Sequence, residues 1–307
     1  MSITASQVKE LREKTGVGMM DAKKALVENG GDMDASVDWL RAKGMAKAAK
    51  KAGRTAAEGL VAIATSENGT SGTVVEINAE TDFVARNEKF QDFTKKIASL
   101  ALDVDGVESL AAADYAGGKN VADTLTDLIA TIGENMQLRR MDKLTVSNGY
   151  VASYVHNALQ AGLGSIGVLV ALESEGNQDV LATVGKQIAM HVAAANPMFL
   201  DTDSVDPEVA AREKQVLMDQ AAESGKPQEI IEKMIEGRMR KYFEEICLVE
   251  QVFVIDGETK IKDVIKAAEK EAGASIKLAG FLRYVLGDGI EKEEEDFAAE
   301  VAKTVNG

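Results

Sequence analysis

Few residues in this chain of 307 have the type and spacing to do chemistry: two histidines, His156 and His191, one cysteine, Cys247, a glycine-rich run, and the octapeptide "ETDFVARN" from Glu80 to Asn87. The run "GLGSIG" at 162–167 has the spacing of a dinucleotide-binding loop. That fingerprint must follow a strand and open a helix, so that the pyrophosphate meets helix N–H groups; here the glycines lead into the strand-like "VLVAL", which reads as a hairpin loop instead. No GxxxxGK[ST] loop, HExxH pair or GxSxG elbow occurs in the sequence. One thiol and two imidazoles are too few for a soft-metal cage, and no cofactor is expected. His191 stands among Met190, Val192 and Ala193 in helical text, the setting of a packed imidazole, whereas His156 ends the alternating "YVASYVH" beside a loop, where it can face outward. In "ETDFVARN", a bulky Phe83 sits where a strand pattern stops and the next helix pattern has not begun. By residue type alone, Asp82 reads as a cap and Phe83 as core.

The elements that hold these residues follow from periodicity. Thr4 and Gln7 form a capping-box pair ahead of a helix that ends near Thr15, where Gly16 and Gly18 break the pattern. Two further helical stretches follow, "MMDAKKALVENGG" and "DMDASVDWLRAKG", the second opened by Asp32 and stopped at Gly44. Met19 and Met20 stand directly after a glycine turn, where they either fill the small core or offer an adaptable contact. From Arg41 to Arg54 the run "RAKGMAKAAKKAGR" carries six basic residues and no acid, and reads as a helical, solvated linker. The period then becomes two. "GLVAIAT" and "GTVVEINAE" predict a hairpin, and Asn87 caps a helix carrying Phe90, Phe93, Ile97 and Leu100 on one face. The order recurs in "GYVASYVH", "SIGVLVALES" and "DVLATVGKQIAMHVAA", which suggests a duplicated strand–strand–helix unit.

Pro197 closes that helix, while Pro207 and Pro227 open an αα-hairpin with Val209, Val216, Ile230 and Met234 at helical spacing. "ICLVEQVFVI" and "GFLRYVLGDG" read as the last strands and "EEEDFAAEVAK" as an acidic closing helix. The fold class is therefore α+β. The expected domains are a three-helix module with basic linker at 1–53, core subdomain N at 54–148, core subdomain C at 149–195 and 246–282, the helical hairpin (a coiled coil) at 196–245, and a C-terminal module at 283–307.

Composition narrows the function. Thirty-five basic against fifty acidic residues leave a net charge of −15, which disfavours a polyanion as main ligand and favours a protein or small neutral partner. The longest apolar run, "IGVLVAL", is far short of the roughly 20 residues of a spanning helix, so no membrane association is expected. "MSITASQVKELREK" lacks an apolar signal core, and a single cysteine suits a reducing compartment; a cytoplasmic location is the expectation.

Taken together, "ITASQVKELREKTGVGMMDAKKAL", "ETDFVARN", "IGVLVAL", "IAMHVAA", "SGKPQEIIEKMIEGRM" and "GDGIEK" closely resemble, in order and along the whole chain, the elongation factor Ts family of guanine nucleotide exchange factors. The resemblance implies a partner, elongation factor Tu, and no covalent chemistry. It implies that Thr81, Asp82, Phe83 and Val84 press on the partner's G domain, the ring of Phe83 inserting between side chains so that the Mg²⁺ and phosphate environment is disturbed. It implies that Arg12, Met19 and Met20 of the first module grip the partner, that His156 of a Tyr-x-His element (Tyr154, His156) is an accessory contact, and that the hairpin contacts the partner or mediates homodimers. The chain departs from the family pattern after His156: "NALQAGLGS" is longer and lacks the arginine before the Ile-Gly step. Three other readings stand beside this one. A nucleotide-binding enzyme lacks its phosphate loop, an RNA-binding factor would rest on 41–54 alone, and a helical adaptor would leave the large core unexplained.

Overall fold

The computed structural model describes residues 3–15, 17–222 and 227–291; Gly16, the hairpin tip with Gly225 and Lys226, and the acidic closing run lie outside them. The fold is α+β, as expected. Among the described residues, no helix is long and apolar enough to cross a membrane. The chain divides into two compact units, one of residues 1–62, 75–141 and 285–307, the other of 63–74 and 142–284.

The first unit begins with α1 (Ala5–Thr15), α2 (Met19–Glu28) and α3 (Met33–Lys51). The capping box forms: the Thr4 amide donates to Gln7 Oε1 at 3.0 Å, and the Gln7 amide to Thr4 Oγ1 at 3.3 Å. Asp32 caps α3 by accepting from the Ala35 amide. Val8, Leu11, Ala22, Ala25, Leu26 and Leu40 close a small core. Next along the chain come β1 (Glu58–Thr65) and β2 (Ser71–Ala79), of which 63–65 and 71–74 belong to the second unit, the one-turn α4 (Asp82–Ala85), α5 (Glu88–Leu100), α6 (Val107–Ala112), β3 (Asp114–Ala116), β4 (Lys119–Asn120), α7 (Val121–Ile132) and β5 (Met136–Thr145), which passes into the second unit at Asp142. Asn87 caps α5, and Phe90, Phe93 and Ile97 are buried beneath it. Gly44 does not stop α3. The helix runs on through it to Lys51, and Gly44 is buried against α7, where a Cβ would lie 3.4 Å from that of Ala130.

The second unit contains β6 (Gly149–His156), β7 (Leu163–Gly164), β8 (Ile166–Glu173), α8 (Gln178–Ala195), α9 (Pro207–Ala222), α10 (Gln228–Ile246), α11 (Ile261–Ala272) and β9 (Lys277–Val285). Strand orders are β5-β2-β1-β7, β3-β4 and β6-β8-β9. β6 and β8 pair antiparallel in unbroken register from Gly149 opposite Glu173 to His156 opposite Ile166. Val168, Val170 and Leu172 of β8, Leu181, Ile188 and Val192 of α8, and Ile261 and Ile265 of α11 belong to one buried cluster.

Three expectations fail here. The stretch 246–255 is not a strand; it is the end of α10, a 3₁₀ turn over Leu248–Glu250 and two isolated bridges, Phe199 to Cys247 and Val252 to Lys260. Its apolar residues serve two separate cores, Ile246 and Cys247 in one, Leu248 and Phe253 in the other. Apolar, β-branched text reports burial here rather than ladder pairing. In the hairpin, Leu217, Ala221 and Ile235 are buried, whereas Val216 and Ile230 face solvent, so the apolar seam is offset from the one read by spacing. Pro227 stands as the N-cap of α10 rather than within its first turn.

Candidate partner-binding site

Phe83 is 74% exposed, on a turn that is otherwise fixed. β2 ends at Ala79, and the carboxylate of Glu134, just past α7, receives both the Thr81 amide at 3.0 Å and the Thr81 hydroxyl at 2.8 Å. The Glu80 carboxylate accepts from the Asn135 amide and pairs with Arg54 at 3.2 Å. Downstream, the Gln91 side-chain amide donates to the Ala85 carbonyl at 2.7 Å. Val84, at 3% exposure, and Ala85 point into the core beneath the turn. Asp82 is exposed in the first turn of α4, 3.7 Å from Arg86. Val84, expected among the contact residues, is buried and anchors the turn from below. The reading of Phe83 as core fails. Glu134 does not stand out in the sequence, because 53 residues separate it from Thr81 and no periodicity links them.

Behind the turn, β2 buries a charge. Glu76 is fully buried and accepts from Arg139 at 3.0 Å, Arg140 at 2.6 Å, Asn78 at 2.9 Å and the Gly287 amide at 2.8 Å. Burial alone would raise its pKa; the Gly287 amide, Asn78 and the two guanidinium groups overcome that and hold the carboxylate below its ordinary range. The same arginines donate to the carbonyls of Asp288 and Val285. Gly287 has φ +72°, and a Cβ there would lie 2.5 Å from the Ala57 carbonyl oxygen. Gly287 of "GDGIEK" therefore serves closure of this unit.

Arg12, Met19 and Met20 do come together. They line one groove of about 690 Å³ with Ile3, Val8 and Lys23. Met19 and Met20 are 61% and 80% exposed, so the core alternative fails for both. The basic run is largely engaged: Lys43 and Lys47 pair with Asp21, Arg41 with Asp123 and Arg54 with Glu80. Asp21 is held below the usual carboxylate range, chiefly by Lys43.

His156 is exposed at the end of β6, in the second unit, with its Nδ1 3.0 Å from the Tyr154 hydroxyl. The loop after it folds back, and the Ile63 amide donates to the Gly162 carbonyl at 2.9 Å where β7 joins β1, so its extra length serves the sheet. Gly164 lies in β7, and "GLGSIG" leads into β8 as the hairpin reading expects. His191 is fully buried. Cys247 is buried too, its thiol pushed up to about 11, which leaves it unreactive. Among the described residues, no group of three or more His, Cys, Asp or Glu is placed to hold a metal ion.

Phe83, Met19 and Met20 thus hold large apolar side chains in water, the first on a turn fixed from two sides. A sequence model of the family described as Elongation factor TS matches residues 80–288. The chain is similar to Elongation factor Ts of Allorhizobium ampelinum, 60% identical with 99% of each chain covered. It is also similar to that of Paramagnetospirillum magneticum, 65% identical over 98% of this chain and 96% of the relative, and to that of Rhodospirillum centenum, 60% identical over 98% of each. The chain belongs to the elongation factor Ts family.

Proposed function

We propose that this chain is the guanine nucleotide exchange factor of elongation factor Tu: it binds the GDP-bound and nucleotide-free partner, disturbs the Mg²⁺ and phosphate site, releases GDP and is expelled by GTP. The observation that carries this reading is the exposed ring of Phe83 on a turn fixed by Glu134 and by buried Val84. A ring held this way fills an apolar slot without being ordered on binding, which is worth roughly 1.5–3 kcal/mol. Asp82 brings negative charge beside it.

No bond is made or broken in such a mechanism, and the chain acts without covalent chemistry of its own. If binding this chain weakens the partner's hold on nucleotide by some factor, nucleotide weakens the partner's hold on this chain by the same factor. In this reading 1–53 grips through Arg12, Met19 and Met20, core subdomain N (54–148) pries through Asp82 and Phe83, and core subdomain C (149–195 and 246–282) adds His156. The hairpin at 196–245, with Val216 and Ile230 outward, contacts the partner or joins two copies; the module at 283–307 closes the chain. Nucleic acid is not a ligand, because acids of the same unit engage the basic run. The protein works in the cytoplasm.

The test is GDP release from elongation factor Tu. Catalytic amounts of this chain should accelerate it while the chain alone binds no nucleotide; unchanged release over a wide concentration range would overturn the reading.

A further inference from the structure

We propose that His191 is an acid-sensitive clasp near the neck of the helical hairpin: neutral, it holds the loop 252–255 against α8 through the Val254 amide, and protonated it lets that loop go.

The hairpin leaves the core after Asn196 and returns at Cys247. Its neck is tied by the Met198 and Phe199 amides donating to the Ile246 carbonyl at 2.9 and 3.0 Å, and by the Leu248 amide donating to Phe199 at 2.9 Å. Gln251 adds a strut, its side-chain amide donating to the Glu245 carbonyl at 2.6 Å near the end of α10. That bond fixes which way the Gln251 amide points, so its Oε1 faces His191 Nε2 at 2.9 Å. On the other side of the ring, Nδ1 accepts from the Val254 amide at 3.2 Å. A backbone N–H can only donate. Nδ1 must therefore be bare and Nε2 must carry the proton, a neutral imidazole with both nitrogens in use.

A second proton has one place to go, Nδ1, where it would meet the Val254 N–H donor head-on. Accepting it breaks the Val254 bond and places a cation in a buried site. Of the groups that bond the ring, only Gln251 Oε1, which accepts from Nε2 in either state, favours that cation. Among the described residues, no carboxylate bonds the ring: Glu244 and Glu250 are engaged by Lys260, Glu250 also by Lys262, and Asp256 accepts from the Glu258 and Thr259 amides. Arg283 of β9 donates to the Ala193 carbonyl at 3.3 Å, setting positive charge near the same turn of α8. On α8 itself Lys186 is exposed, and Cys247 stays a neutral thiol. Burial, opposed by the Gln251 bond, holds the imidazole below its ordinary pKa. Unfolded or released chain thus takes the proton first, and the clasp is intact above the ordinary histidine range and lost as pH falls below it. Val252, Val254 and Ile255 are already half exposed, so lifting their loop buries no new charge and exposes mainly Phe253.

The experiment uses the full chain. Histidine ring resonances and amide exchange, corrected for intrinsic rates, are followed from about pH 7.5 to about pH 5. Expected is a His191 titration below the ordinary histidine range, with protection of 252–256 falling by up to about tenfold per pH unit, the slope of one proton, while α5 keeps its protection. His191→Asn should flatten that dependence. If it fails to fold, Gln251→Glu decides, since a carboxylate against Nε2 should move the His191 titration upward. The proposal is overturned if His191 titrates within or above the ordinary histidine range and 252–256 keeps its protection. It is equally overturned if protection falls everywhere at once, if His191→Asn retains the full pH dependence, or if Gln251→Glu leaves the titration in place.

Discussion

Within eight residues, the chain inverts the usual rule of inside and outside twice. Glu76 and Asn78 on β2 are fully buried, and Phe83 on the turn that follows is among the most exposed large apolar side chains. The buried acid holds the sheet to the chain's return at 285–288 through Arg139, Arg140 and the Gly287 amide. The exposed ring contributes little to the fold, and its turn is kept in place by others, Glu134 on one side and Val84 below. The first region spends its polar groups on rigidity; the second uses that rigidity to hold an apolar group in water. Mutations should separate the two.

The largest effect is expected at Glu76. Glu76→Ala removes the carboxylate on which two guanidinium groups and two amides converge, and should cost about 3–5 kcal/mol of stability, read as a lower urea midpoint. The same network gives the wild type an acid limit. Because the folded pKa of Glu76 is depressed, its contribution is fully present above the ordinary glutamate range and is lost as pH falls through the folded value. A stability curve from neutral to about pH 3 should decline over that window, and Glu76→Gln should flatten part of the decline.

Next in size is Val84→Ala, which should cost roughly 1–3 kcal/mol and leave exchange nearly normal at temperatures where the protein is folded. If exchange collapsed while the melt was unchanged, Val84 would be a contact after all. Smaller in stability, within about 0.5 kcal/mol, is the double change Met19→Ala with Met20→Ala, because both side chains are in water. It should raise the concentration needed for half-maximal GDP release and leave the saturated rate near that of the wild type, since a grip shared by both states changes affinity alone.

How far the sequence carried these assignments differs by element. The caps at Thr4, Asp32 and Asn87 and the alternating strands were legible because their signals are local: a side chain meets an amide two or three residues on. The exposure of Phe83 was legible only through the family resemblance, as residue type argues the opposite. Glu134 and the Glu76 network were not legible, since their partners stand 53 to 211 residues away and no periodicity spans such gaps. Gly44 was misread for a related reason. A glycine that ends a helix and one buried against a neighbouring helix look alike until the neighbour, here Ala130, is in place. At 246–255, apolar text was taken for a strand although its side chains serve two cores at once.

The most direct test pairs two readings on one variant, Phe83→Ala: the GDP release rate from elongation factor Tu at saturating exchange factor, and the urea midpoint. Truncating a central aromatic contact removes about 2 kcal/mol or more at an interface, so the saturated rate should fall on the order of tenfold or more. The midpoint should hardly move, because the ring leaves no cavity behind. A variant that melts early, with the loss of about 3–5 kcal/mol typical of a core phenylalanine, and exchanges normally once folded would contradict the account.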